Sequence, residues 1–159
     1  FYDHPSRPVC GPGFPRIGGY VMLRDVTSIQ VADETFVAAS PMAAGPVVTD
    51  PARWREWWPD LRLEVVEDRG NAGVRWRAHG PLDGTMEIWC EAVLDGFVLH
   101  YYLHAEPTAA LPADPVRRGQ VLAELNRLRR VAGKEMSFQV KAMLEAGREI
   151  GDPAVPAGA

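Results

Sequence analysis

Cysteine is almost absent from this chain: two in 159 residues, Cys10 and Cys90. Two thiols cannot build a disulfide framework. Cys10 lies in a loop-like stretch and Cys90 in an expected core strand, so both read as free thiols of a reducing compartment, and the expected location is the cytoplasm. No apolar run approaches the ~18–20 residues of a membrane span. No basic-then-apolar leader marks a secretory signal. Positive charge is not in excess: 17 Lys and Arg stand against 21 Asp and Glu, for a net charge of −4. That balance, with a pI near 5.6, speaks against a nucleic-acid binder, which carries a basic footprint. The motifs G-x-x-x-x-G-K-[ST], G-x-G-x-x-G, H-E-x-x-H and G-x-S-x-G are all missing. Nucleotide hydrolysis, dinucleotide binding, zincin and esterase chemistry therefore lack support.

What is present is an ordinary globular composition, 47% hydrophobic and 24% charged, in a length that suits one domain with one core. The chain is organised around Val74–His104, which reads as three strands meeting at two turns. Asp95-Gly96 stands between two alternating runs, and this dipeptide readily takes the positive φ angles of a two-residue turn. Placing the turn there pairs Leu94 with Phe97, Cys90 with Tyr101 and Ile88 with Leu103. The earlier loop, Gly80–Gly84, centred on Leu82, pairs Arg77 with Glu87 and Ala78 with Met86. Alternation then separates two faces. One carries Val74, Trp76, Ala78, Met86, Ile88, Cys90, Ala92, Leu99, Tyr101 and Leu103. The other carries Arg75, Arg77, Glu87, Trp89, Glu91, His100, Tyr102 and His104. The first is apolar and must be covered.

Residues 1–21 are Pro- and Gly-rich without a period, so an irregular leader is expected, with Met22 the next candidate start. Thr27–Ala39 reads as the first strand, with a break near Ala32-Asp33. Ser40-Pro41 signals a short helix that Gly45-Pro46 delays or kinks. Asp50-Pro51 caps a second helix that Pro59 ends. In it Trp54 and Trp58, four apart, share a face and Trp57 points elsewhere. Leu61–Glu67 is the next strand, with Leu61, Leu63 and Val65 on the apolar side. Asp114-Pro115 opens a helix over Val116–Ala146. Its stripe is Val121, Leu125, Leu128, Ala132, Met136, Gln139, Val140 and Met143. Gly133 is a candidate kink, which would turn Phe138 inward. The domain is expected over 22–147, followed by a frayed tail at 148–159.

The order is strand, two short helices, a run of antiparallel strands, then one long amphipathic helix whose stripe matches the uncovered sheet face. That is an α+β architecture, a curved antiparallel sheet gripping a C-terminal helix. This order, with TDPARWREWWPDL after the first strand and GVRWRAHGPLDGTMEIWCEAVLDGFVLHYYL in the sheet, resembles the helix-grip superfamily. That superfamily (SRPBCC) includes START lipid-transfer domains, Bet v 1-like proteins and bacterial polyketide cyclase/dehydrase-like proteins. The likeness covers about Thr27–Ala146. Its most specific piece is D-P-x-x-W/Y…W-x-P, matched by Asp50, Pro51, Trp54, Trp57 and Pro59. Five strands are counted where the superfamily has six or seven.

The resemblance implies a pocket for an apolar or amphipathic small molecule between sheet and helix, a hydrophobic ligand, lipid or polyketide-like. It does not fix a reaction. The expected lining is Trp76, Ile88, Cys90, Tyr101, Leu103, Met136, Val140 and Met143. In that set Tyr101 is the residue able to donate a hydrogen bond to a ligand oxygen. The same residues also read as plain core, because methionine and tryptophan fill irregular space well. A nucleophilic Cys90 needs a base, and the apolar face offers none. His100 and His104, facing Glu91 and Glu87, read as an acid–base or metal pair or, more simply, as cross-strand ion pairs on the solvent face; no third ligand stands at metal spacing. The basic face of the last helix, Arg127 to Lys141 with Val131 and Phe138, reads as a solvated surface or as a membrane or partner contact. The residues assign no catalytic group, metal or cofactor. Three function classes remain: a carrier or binder, which the scarcity of polar residues on the apolar face favours, an aromatase- or cyclase-like enzyme using Tyr101 and Trp76 to orient its substrate, and a solid-core interaction module.

Overall fold

A computed structural model describes residues 26–158; the leader expected at 1–21 and Cys10 lie outside them. The elements follow as β1 (Ile29–Val37), α1 (Gly45–Val48), α2 (Pro51–Trp57), β2 (Arg62–Asp68), β3 (Gly73–His79), β4 (Leu82–Val93), β5 (Gly96–Pro107) and α3 (Pro115–Leu144). The strands form one antiparallel sheet in the order β1-β5-β4-β3-β2. β1 runs without the break expected at Ala32-Asp33. Ser40 caps a single 3₁₀ turn, after which α1 begins with Pro46 in its first turn. The proline is therefore accommodated by a late start. Asp50 and Asp114 cap α2 and α3 through their carboxylates, which accept from the amides of Ala52 and Arg117 at 2.9 and 2.8 Å. Each is followed by proline in the first helical position, where its missing N–H costs nothing.

Both hairpins are registered two residues away from the expected pairing. Val93 pairs with Gly96, Cys90 with Leu99 and Ile88 with Tyr101, so the turn residues are Leu94 and Asp95. Leu94, not Gly96, takes the positive φ, at 55°. The reason lies at the neighbouring strand. A β-carbon on Gly96 would stand 2.3 Å from the Val37 carbonyl oxygen, so Gly96 serves the close approach of β1 rather than the turn. In the first hairpin Trp76 pairs with Met86 and Arg75 with Glu87. An even shift leaves every side chain on its face. The apolar set is accordingly buried, from Val74 and Trp76 to Tyr101 and Leu103, apart from Ala92 near the exposed turn.

β2 departs from expectation. It is an edge strand with a bulge between Val65 and Glu67. Leu63 is half-buried, and Val65 and Val66 are exposed. α3 is continuous for 30 residues, or ~45 Å at ~1.5 Å per residue, without a kink at Gly133. Phe138 consequently stays outside, 57% exposed, with the Lys134 ammonium 5.4 Å from its ring centre. The stripe is covered in its C-terminal half, where Met136 and Val140 are fully buried, while Val121 and Leu128 in the N-terminal half remain exposed.

α3 lies along β1 and satisfies part of that strand's free edge. Asn126 accepts from the Gln30 amide at 2.9 Å and donates to the Ser28 carbonyl at 2.9 Å. Lys141 donates to the Phe36 carbonyl at 2.9 Å, and Glu145 accepts from the Ala38 amide at 2.6 Å. An edge strand so occupied cannot readily recruit another. The tail is tied back at Ala154 and Val155. Val155 bridges Ala39, exchanging backbone bonds with Ala38 and Ser40, and Ala154 donates to the Asp95 carboxylate. No helix among the described residues is long and apolar enough to cross a membrane.

Candidate functional site

The interior between sheet and α3 is aromatic. α2 is seven residues long and ends at Trp57, so Trp58 falls on the C-cap, at φ −136° and ψ 68°. That departure from helical geometry breaks the spacing argument that set Trp57 apart. Trp54, Trp57 and Trp58 are all buried. The Trp58 ring stacks on Tyr101, with centroids 5.7 Å apart and planes 15° off parallel. It meets Trp57 and Trp76 edge to face at 5.6 and 5.7 Å, and Trp54 meets Trp76 the same way at 5.1 Å. On the helix side Tyr101 is met by Gly133, where a β-carbon would stand 2.4 Å from its ring. Gly133 is therefore a seat for the tyrosine.

The polar edges of these rings divide into two groups. Trp54 donates its indole N–H to the Val48 carbonyl at 2.8 Å, and Trp57 to the Gln139 side chain at 2.9 Å. The indole N–H of Trp76 is buried without a partner among the described residues, and the buried Trp58 N–H and Tyr101 hydroxyl lie beside each other without a well-formed hydrogen bond. Buried Trp and Tyr polar groups usually find one. Burial raises the Tyr101 phenol above its ordinary pKa, opposed by the Arg129 guanidinium and the nearby Trp58 indole; the ring carries a neutral hydroxyl. Burial also pushes the Cys90 thiol up to about 12, far from the thiolate that a nucleophile requires.

The eight residues expected to line a pocket sit together. Trp76, Ile88, Cys90, Tyr101, Leu103, Met136 and Val140 are buried in one cluster, and Met143 packs against it, partly exposed. Trp54, Trp57 and Trp58 pack in the same cluster, with Gly133 against Tyr101, and are absent from the expected set. The available signal was three tryptophans within five residues, more indole than one amphipathic turn can place in solvent. Outside, the Trp57–Asp60 segment is tied to α3 twice, by Trp57 to Gln139 and by Asp60 to Arg129 through two bonds of 3.1 and 2.6 Å. Next to it an open cleft of about 380 Å³ lies between α2 and β2, lined by Pro51, Trp54, Pro59, Leu61 and Leu63 among others.

The outer sheet face holds the histidines. His100 is buried between Trp89, stacked at 4.5 Å, and Tyr102 at 6.0 Å. Its Nε2 lies 3.0 Å from Glu91 and its Nδ1 3.4 Å from Glu34. His104 is not opposite Glu87; it faces Thr85. Glu87 is instead held by Arg69 at 2.6 Å and Arg75 at 3.5 Å. No three His, Cys, Asp or Glu side chains among the described residues are placed to hold a metal ion. Much of α3's basic face is spent on pairs, Arg127 with Glu124 and Lys134 with Asp33 at 2.7 Å each.

A curved antiparallel sheet closed on a long C-terminal helix, with two short helices after the first strand, is the helix-grip fold. Solved structures carry the same fold. The di-domain ARO/CYC StfQ of the steffimycin biosynthetic pathway matches 77% of this chain over 52% of its own, with a TM-score of 0.58 and 19% identity. DynU16, described as a putative protein in the dynemicin biosynthetic locus, matches 74% over 48% of its own, at 0.52 and 18%. Ms6760 from Mycobacterium smegmatis matches 77% over 94% of its own, at 0.52 and 11%. This chain thus spans about half of the first two. No protein-family model and no curated protein matches the sequence.

Proposed function

We propose that this protein binds an apolar small molecule bearing an oxygen, a polyketide-like or lipid-like compound, between the sheet and α3, and that it works in the cytoplasm. The observation that carries this reading is the set of poorly satisfied polar groups in one buried aromatic cluster: the Trp76 N–H without a partner, and the Trp58 N–H and Tyr101 O–H without a well-formed hydrogen bond. A buried donor without an acceptor costs about 1–3 kcal/mol. The Trp58 ring meets both Tyr101 and Trp76, so these polar groups belong to one buried cluster, and a few polar groups placed among apolar ones are how small-molecule sites combine affinity with orientation. The fold shared with StfQ, whose name records an aromatase/cyclase, makes such a molecule a reasonable occupant. The donors are neutral, and the one thiol among them is held protonated by burial, so binding is favoured over a reaction that needs a strong base.

Native mass spectrometry of freshly purified protein, followed by denaturing extraction, tests this. A stoichiometric added mass that extracts as an oxygen-bearing apolar compound, and is lost in Tyr101→Phe, is the expected result. A clean unliganded mass that stays unchanged with a panel of fatty acids and aromatic polyketides would leave the solid-core interaction module as the better reading.

A further inference from the structure

We infer that the Trp58 indole is a built-in plug: it occupies the place of a planar, fused-ring ligand, and the α2–β2 cleft is the way in. The inference rests on the interior-binding reading and adds to it the ligand's shape, its path and the device that keeps the site closed.

Trp58 differs from the other two tryptophans of its segment in three respects. It lies beyond the last helical residue, on a backbone that has already left helical geometry and is followed by Pro59. Its ring is 1% exposed and its N–H, beside the Tyr101 hydroxyl, makes no well-formed hydrogen bond, whereas Trp54 and Trp57 both donate. Its neighbours surround it as a binding box surrounds a guest, with Tyr101 parallel to the ring and Trp57 and Trp76 edge-on. A flat bicyclic ring with an oxygen on one edge would take the same stacking. It would also give the Tyr101 hydroxyl and the Trp76 N–H an acceptor, which an indole cannot supply.

The route is on the same side. Pro59 and Leu61, shortly after Trp58, line the cleft between α2 and β2, together with Arg55 and Arg62. β2 is the edge strand there, with Val65 and Val66 exposed and no strand beyond it among the described residues. The segment's side-chain ties to α3 are the Trp57–Gln139 bond and the Asp60–Arg129 pair. Asp60 is half exposed while Arg129 is largely buried and bonds it through two nitrogens, so the tie holds the closed form at rest and is screened by solvent only on its acidic side. Swinging Trp58 outward breaks the Asp60–Arg129 link and exposes Tyr101 and Trp76 to the cleft. While the plug is seated, apparent affinity is reduced by the fraction of molecules that are open.

The test is calorimetric titration of 2-naphthol, a flat bicyclic phenol, into the wild type, Trp58→Ala, Trp58→Phe and Asp60→Asn. Trp58→Ala is expected to bind roughly tenfold or more tightly than the wild type, since it removes the closed-state reduction. Trp58→Phe, which keeps a ring on Tyr101, and Asp60→Asn, which cuts only the link, should fall between. Wild-type binding that all folded variants merely equal would overturn the plug and leave the interior site standing. If Trp58→Ala does not fold, Trp58→Phe and Asp60→Asn decide, and equality with the wild type again overturns the plug. Absence of binding in every folded form, Asp60→Asn and Trp58→Phe included, would remove the interior site itself and the plug with it.

Discussion

A β-carbon at position 133 would stand 2.4 Å from the Tyr101 ring. Two opposed effects meet at that residue. Alanine is a better helix former than glycine by about 1 kcal/mol. Overpacking a filled core costs typically 1–3 kcal/mol, and the far side of this ring is already occupied by Trp58. The steric term should win, so Gly133→Ala is expected to destabilise the protein by about 1–2 kcal/mol in urea denaturation. A stabilised variant would mean that the Tyr101 ring can step aside. Residue-scale reading of the sequence succeeded where one rule governed and failed where two competed. Gly133 was read as a kink because glycine weakens helices, and Gly96 as a turn residue because Asp-Gly favours positive φ. Both instead answer to the close approach of a neighbouring element, which no local pattern reveals. The helical spacing puts Trp54 and Trp58 on one face and Trp57 on another, but all three are buried, because α2 ends at Trp57 and Trp58 leaves helical geometry.

Elements were legible to the extent that their periods were long. The two hairpins, the five strands, both Asp-Pro helix starts and the long helix follow from alternation and capping. The register was wrong by two in both hairpins, yet the faces were right, because a strand's parity survives any even slip. What the pattern could not supply is which part of an apolar stripe finds cover. In α3 the stripe reads uniformly, but the sheet buries Met136 and Val140 and leaves Leu128 48% exposed. Burial decides the energetics. Met136→Ala is expected to cost about 2–4 kcal/mol, as buried large-to-small changes do. Leu128→Ala should cost under about 1 kcal/mol, since it opens no closed cavity. Chemical denaturation of the two variants measures the difference. Equal losses would mean that the first half of α3 is covered by something beyond the described residues.

At the scale of the whole molecule, side-chain links hold distant segments together, and two of them end on carboxylates with lowered pKa. For Asp60 the leading cause is its bond to Arg129, which outweighs the raising effect of burial. For Glu145 burial alone would raise the pKa, but the bonds from Lys141 and the Ala38 amide overcome it. A carboxyl whose folded pKa lies below its unfolded value contributes stability that is fully present above the unfolded value. That contribution is lost as pH falls through the folded one. The ordinary values are about 3.9 for Asp and about 4.3 for Glu. Stability should therefore hold level down to about pH 5 as far as these two groups decide it, and decline below about pH 4. The Asp60 link is half exposed on its acidic side, which limits its share to about 1 kcal/mol or less. Asp60→Asn removes that share at every pH. Its thermal midpoint is expected to lie a few degrees below the wild type's at pH 7, on the scale of roughly 3 °C per kcal/mol, and to approach the wild type's near pH 3, as the wild-type carboxyl is protonated. Thermal unfolding followed by circular dichroism between pH 7 and pH 3 measures both curves. A gap that stayed constant across that range would show that Asp60 acts through packing rather than charge. A gap that closes would identify the Asp60–Arg129 pair as the ionic tie between the α2–β2 segment and the helix the sheet grips.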